Sequence, residues 1–272
     1  MMEFADTSPG VQVEPAEYHR LLGYPRDHVL SGRSRELADW AREWYGRHGR
    51  PWIYARQAER IEIADGPVRI DGVPFTSQRL QTTLRQAAAH SAFLVAAGAG
   101  PEAEEQAQRL WREEKPDEYF FLEVFGSAVV EHLFTAAGAR LCAWAEERGM
   151  AVLPHYSPGY SQWDIAEQGT LLRLIQSTRD HALPGKVEAL GSGALRPKKS
   201  QLGVFGLTRH TARVRRLADL IPCENCALPA CQYRRTPFRS LTFAAPKADP
   251  SRERKRAVGA ELRHKGTNGN NR

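Results

Sequence analysis

Three closely spaced thiols and one aromatic, turn-rich stretch are where this 272-residue chain concentrates residues that could do chemistry. Cys223, Cys226 and Cys231 stand with two and then four residues between them. That spacing lets a short length of backbone converge its sulfurs on one ion, and thiolates favour zinc or an iron–sulfur cluster. A fourth ligand is open. His210 is a candidate, whereas Cys142 falls in an apolar helical run and reads as a buried structural thiol. Unmetallated thiols are the alternative. Arg234 and Arg235 follow directly and would stabilise a net-negative thiolate site or bind a partner's acidic groups.

The second concentration is 154–164, Pro-His-Tyr-Ser-Pro-Gly-Tyr-Ser-Gln-Trp-Asp. Proline fixes φ, glycine lets backbone approach a ligand closely, and the rings of Tyr156, Tyr160 and Trp163 offer flat faces on which a heterocycle can stack. The stretch suits the wall of a small-molecule groove; an inert loop whose rings pack on the core is the alternative. Glu131 is the third feature. It lies about 200° around its helix from Val129, among Ser127, Thr135 and Gly138, so a carboxylate sits on a face of small residues. The same pattern fits a plain solvated face.

Elements that would position these residues can be read along the chain. Residues 1–30 read as irregular. Leu37, Trp40, Ala41 and Trp44 recur at helical spacing over 34–45, and Gly46, Gly49 and Pro51 end that run. Extended pieces follow at 52–54, 60–63 and 68–73, and the Asp71-Gly72 step predicts an antiparallel hairpin. Residues 79–113 read mostly as helix, with Phe93-Leu94-Val95 open as a buried strand end. Residues 116–148 predict a long helix with a buried stripe through Phe125, Val129, Leu133, Ala136, Ala137, Leu141 and Trp144. A further helix is expected over 165–175, a flexible basic loop over 189–200, and a strand over 202–207 whose Gly203 and Gly206 permit close approach.

The formal net charge is +6, and eight basic against three acidic residues within 247–272 account for five of those charges. The remainder is nearly neutral, which argues against nucleic acid as the partner of the main site. The tail has too few apolar residues to fold alone. No apolar run approaches a membrane span, no N-terminal stretch reads as a signal, and the cysteine pattern is not a disulfide framework, so a soluble cytoplasmic chain is expected.

Taken together, Gly126-Ser127-Ala128-Val129-Val130-Glu131, then Ser157-Pro158-Gly159-Tyr160 with Trp163, then Leu195-Arg196-Pro197-Lys198-Lys199-Ser200 and Val204-Phe205-Gly206 resemble the activation domain of cobalamin-dependent methionine synthase. The resemblance is closer to the stand-alone proteins related to that domain, and it covers about residues 15–240. It implies an α+β fold, a C-shaped single domain with a bent antiparallel sheet and flanking helices. It implies S-adenosylmethionine bound in a shallow groove, and reductive methylation of a corrinoid: an electron donor such as a flavodoxin or ferredoxin reduces cob(II), and the methyl group traps cob(I). Cobalamin would arrive on a partner, a corrinoid-carrying methyltransferase, because no corrinoid-binding motif is present.

On this resemblance Glu131 takes the acidic ligand contact, Ser157, Gly159 and Tyr160 supply backbone and ring contacts, and Phe205 lies near the adenosine. His155 stands where the family has arginine, so a carboxylate would be held more weakly or in a pH-dependent way unless Arg196 supplies the charge. The domain layout expected is an irregular 1–14, a ligand-binding domain over 15–210, the cysteine loop over 211–244 and the basic tail over 245–272.

Overall fold

The structure, a computed structural model, describes residues 2–25, 28–177 and 182–214. The chain divides into two units, Met1–Phe238 and Arg239–Arg272, and the second lies wholly outside the described residues. In chain order the elements are β1 (Glu3–Asp6), α1 (Pro15–Leu21), α2 (Gly32–His48), β2 (Trp52–Gln57), β3 (Ile61–Glu62), β4 (Val68–Ile70), β5 (Val73–Phe75) and α3 (Gln78–Gln86). They continue with β6 (Ser91–Gly98), α4 (Glu102–Arg112), α5 (Pro116–Glu146), β7 (Ala151–Val152), α6 (Gln168–Ile175), β8 (Glu188–Ala189), β9 (Leu195–Arg196) and β10 (Ser200–Thr208). The fold class is α+β.

A five-stranded sheet in the order β1-β2-β6-β10-β7 organises the first unit, and all of its pairings are antiparallel. Its central strands are apolar on both faces because both faces are covered. Along β6, Phe93, Val95 and Ala97 enter one hydrophobic cluster with α1, α2 and α5, while Ala92, Leu94 and Ala96 enter a second with α3 and α6. This double covering erases the alternation that marks a half-buried strand. It accounts for the departure from the mostly helical reading of 79–113, where β6 is an eight-residue strand between two helices.

The N-terminal segment also differs from expectation. Residues 3–6 form an edge strand on β2, with Glu3 opposite Arg56, and 15–21 form a helix, so neither 1–14 nor 1–30 is irregular throughout. Gly46 lies inside α2, which runs on to His48. The Asp71-Gly72 step is a hairpin turn as expected: φ is +48° at Asp71 and +80° at Gly72, the pair of positive values a two-residue connection requires. The loop read as flexible over 189–200 contains the β8–β9 ladder, with Glu188 opposite Arg196. Among the described residues α5 is the one helix long and apolar enough to cross a membrane, and 56% of its most apolar window is buried inside the protein.

Candidate functional site

Two elements set the geometry around the 154–164 stretch. β10 pairs with β6 along its length, and Tyr156 adds a bridge to β10, exchanging backbone hydrogen bonds with Val204 at 2.9 Å each way. α5 crosses the first face of the sheet. Close approach depends on glycine: a Cβ at Gly203 would come 2.9 Å from the Phe134 ring and 3.1 Å from Ser157 Oγ, and one at Gly206 would meet Leu153 at 2.4 Å.

The turn itself is closed by backbone. Tyr160 N donates to Ser157 O at 3.1 Å, Trp163 N to Tyr160 O at 3.0 Å and Gly159 N to Trp163 O at 3.0 Å, with Gly159 at φ +91°. Tyr156 and Trp163 stack on each other with their ring planes 13° apart, the Tyr156 hydroxyl donates to Ser161 O, and Trp163 is buried with its Nε1 on Glu167 Oε2 at 2.7 Å. Of the three rings expected to form a stacking wall, only Tyr160 is exposed; Trp163 belongs to the second core, with Tyr156 packed against it. Arg79, on α3, stands 5.8 Å over the Tyr156 ring, a cation the sequence reading passed over.

His155, Tyr160 and Gln201 form one polar network. His155 Nε2 lies 3.1 Å from Tyr160 Oη, and Gln201 Nε2 lies 3.1 Å from that oxygen and 3.3 Å from His155 Nε2. Phe134 and Phe205 press on the imidazole with centroids at 5.1 and 5.3 Å. Burial against these rings disfavours the imidazolium and pushes the His155 pKa down to about 4. Burial, then the Glu131 charge, pushes the Tyr160 phenol up to about 12. Near neutral pH both groups are therefore uncharged. The network can donate and accept hydrogen bonds, but it holds no general base tuned to pH 7.

The fold has a solved counterpart. It is similar to that in the crystal structure of the MetH reactivation domain bound to AdoHcy, with a TM-score of 0.53 over 74% of this chain and 79% of that chain. Sequence identity is 12%, so the likeness is one of fold. No family model matches the chain, and no curated protein matches it.

The residues singled out by the resemblance take different places in the structure. Glu131, exposed on α5, His155 and Tyr160 come together, Glu131 close enough for its charge to act on the phenol. Ser157 and Gly159 shape the turn beneath Tyr160; the Ser157 hydroxyl is 2% exposed, lies beside the phenol and lacks an aligned hydrogen-bond partner. Phe205 and Arg196 depart from expectation. Phe205 is 1% exposed and backs the His155 ring from within the core, so it presents no open face for an adenosine. Arg196 points its guanidinium at Glu188, 3.2 Å away across the β8–β9 ladder, and its side chain is 65% exposed; it does not join the His155 network.

The basic segment enters through Lys199 instead. Its side chain passes over Gly126, where a Cβ would come 3.2 Å from Lys199 Cγ, and its Nζ donates to Ser127 Oγ at 2.9 Å and pairs with Glu123 at 3.1 Å. Gln201 and Phe134 are the residues that sequence reasoning missed. Gln201 alternates with Leu202 at the start of β10, and a register placing it opposite Ala97 is the only signal that would have found it. Cys223, Cys226 and Cys231 lie outside the described residues. Cys142 is half-buried and burial holds its thiol up at about 11, in keeping with a structural thiol. Among the described residues no group of three His, Cys, Asp or Glu side chains is placed to hold a metal ion.

Proposed function

We propose that this protein binds S-adenosylmethionine against the Glu131 face of α5 and the 155–160 turn, and that it supports reductive methylation of a corrinoid carried by a partner methyltransferase. The observation that carries this reading is the convergence of Glu131, His155 and Tyr160 from two separate segments, in a fold similar to a reactivation domain solved with AdoHcy. Glu131 supplies negative charge for an ammonium or sulfonium group, and Tyr160 supplies an exposed ring face. His155 and Gln201 supply neutral donors to a carboxylate. A neutral imidazole holds a carboxylate less firmly than a guanidinium fork does. Cobalt is the nucleophile and S-adenosylmethionine the methyl donor in such a reaction, so this chain's residues bind and orient, and exposed Ile165 beside Gly159 adds apolar surface at the groove for a docking partner.

Calorimetric titration of S-adenosylmethionine into the purified protein tests the reading. Saturable binding is expected, weakened about tenfold or more in Glu131→Ala and Tyr160→Ala, and within about twofold between pH 7.5 and pH 6.0 because folded His155 stays neutral over that range. Absence of wild-type binding at both pH values would overturn it.

A further inference from the structure

A second cleft lies toward the N-terminal end of α5, about 120° around the helix from Glu131. Tyr119, Glu123, Ser127 and Glu131 are spaced four apart along α5, so Tyr119 stands about 18 Å from Glu131 along the helix axis. Around Tyr119 a cleft of about 470 Å³ is lined by Gln108, Trp111, Arg112, Tyr119 and Lys198. Its volume falls in the range of small-molecule sites. A larger cleft, about 610 Å³ between the end of α2 and α4, mixes Arg47, Arg50 and Arg109 with Glu102 and Glu105.

The smaller cleft combines an open ring face with two cations from different elements, Arg112 and Lys198. Trp111, in the last turn of α4, is 63% exposed, and its indole meets the Tyr119 ring at 5.1 Å with the planes tilted by 58°. The tilt leaves the outer indole face open for a flat ring. Arg112 directs its Nε to Gln108 O at 3.3 Å. Lys198 is pinned through its backbone N–H to Glu104 at 2.8 Å, and its Nζ reaches Glu123 at 2.9 Å. Lys199 shares that carboxylate, so the two lysines face two carboxylates, Glu123 and Glu104, and Arg112 is the additional cation at the cleft. Two carboxylates nearby in the chain are engaged elsewhere, Glu113 with Lys115 at 2.8 Å and Glu118 with Arg33 at 2.6 Å.

From this geometry we infer a second ligand site at the Trp111 cleft that takes a ring-bearing phosphate of the nucleoside monophosphate class, with the base on Trp111 and the phosphate between Arg112 and Lys198. Two cations from different elements suit a doubly charged phosphate better than a single carboxylate, and indole stacking tolerates any base. The site is separate from the groove proposed for S-adenosylmethionine and does not depend on that reading.

Calorimetry with guanosine monophosphate at low salt tests it, with guanosine and inorganic phosphate as the arms that separate ring from charge. Guanosine monophosphate is expected to bind saturably, each fragment alone at least tenfold more weakly. Trp111→Ala, an exposed position, should weaken binding about tenfold, the worth of one stacking face, and Arg112→Ala at least threefold. Tyr160→Ala should leave it unchanged. No saturable binding, equal binding by phosphate alone, or loss in Tyr160→Ala but not in Trp111→Ala would each overturn the inference.

Discussion

His155 shows how burial sets the charge of one residue in the 154–164 turn. An imidazole enclosed by Phe134 and Phe205 has Tyr160 and Gln201 as its polar partners, and Glu131, whose charge acts on the Tyr160 phenol, is the carboxylate on the neighbouring helix. Arginine in that position would bring a permanent charge; histidine brings one only after paying its desolvation. The same fact is visible in the stability of the fold. An unfolded chain takes a proton on this histidine near its ordinary value of about 6.5, whereas folded His155 resists until about 4. Between those values the unfolded state binds more protons, so stability is complete above about pH 6.5 and is lost as pH falls toward 4. Thermal melts from pH 7.5 to 5 should therefore show a steeper fall for the wild type than for His155→Gln, by several degrees. His90 and His19 are also pushed down by burial and remain in both proteins, so the difference isolates His155. Parallel profiles would show that the imidazole titrates as if in water.

Among the elements, the β4–β5 hairpin is held to the sheet by a buried ion pair as well as by its strands. Arg56, 3% exposed, donates to Asp71 Oδ2 at 2.9 Å and to Leu174 O at 2.7 Å, linking β2, the hairpin turn and the end of α6. Removing the carboxylate strands the guanidinium, a loss of about 3 kcal/mol for Asp71→Asn, which keeps a residue suited to positive φ. Asp71→Ala should cost about 1 kcal/mol more, because alanine tolerates that backbone poorly. Urea denaturation measures both, and two variants within 0.5 kcal/mol of wild type (about the range of surface changes) would contradict the assignment. This hairpin was legible in the sequence because its signal is local, an Asp-Gly step between apolar residues, and α2 and α5 were legible from their period. β6 was not, since two covered faces leave no alternation, and β1 was not, since its partner lies some fifty residues away at Arg56. The site divides in the same way. Glu131, His155 and Tyr160 sit in motifs that can be read along the chain, but Gln201 and Phe134 reach His155 only through strand register and a helix face. Arg196 looked available because sequence gives no sign that Glu188 faces it across a short ladder.

At the scale of the whole molecule, charge and chemistry are distributed unevenly along the chain. Five of the six net positive charges fall within 247–272, while the described residues, which end at 214, form two hydrophobic clusters. Within the described residues the chain assembles both cores, the His155 network and the Trp111 cleft. We propose that the ligand-binding domain is independent of Cys223, Cys226 and Cys231, and that any metal or iron–sulfur cluster is held by those thiols, whose spacing suits one ion. A chain ending after residue 214 separates the two parts. Prepared without oxygen, the full chain should carry zinc or iron in a fixed ratio to protein, and the shortened chain none. The shortened chain should also bind S-adenosylmethionine within about twofold of the full chain, which is about 0.4 kcal/mol. Metal retained by residues 1–214 would remove the cysteines from the role proposed for them. Lost ligand binding in a chain that still melts cooperatively would place part of the groove beyond residue 214 and make the loop a member of the site.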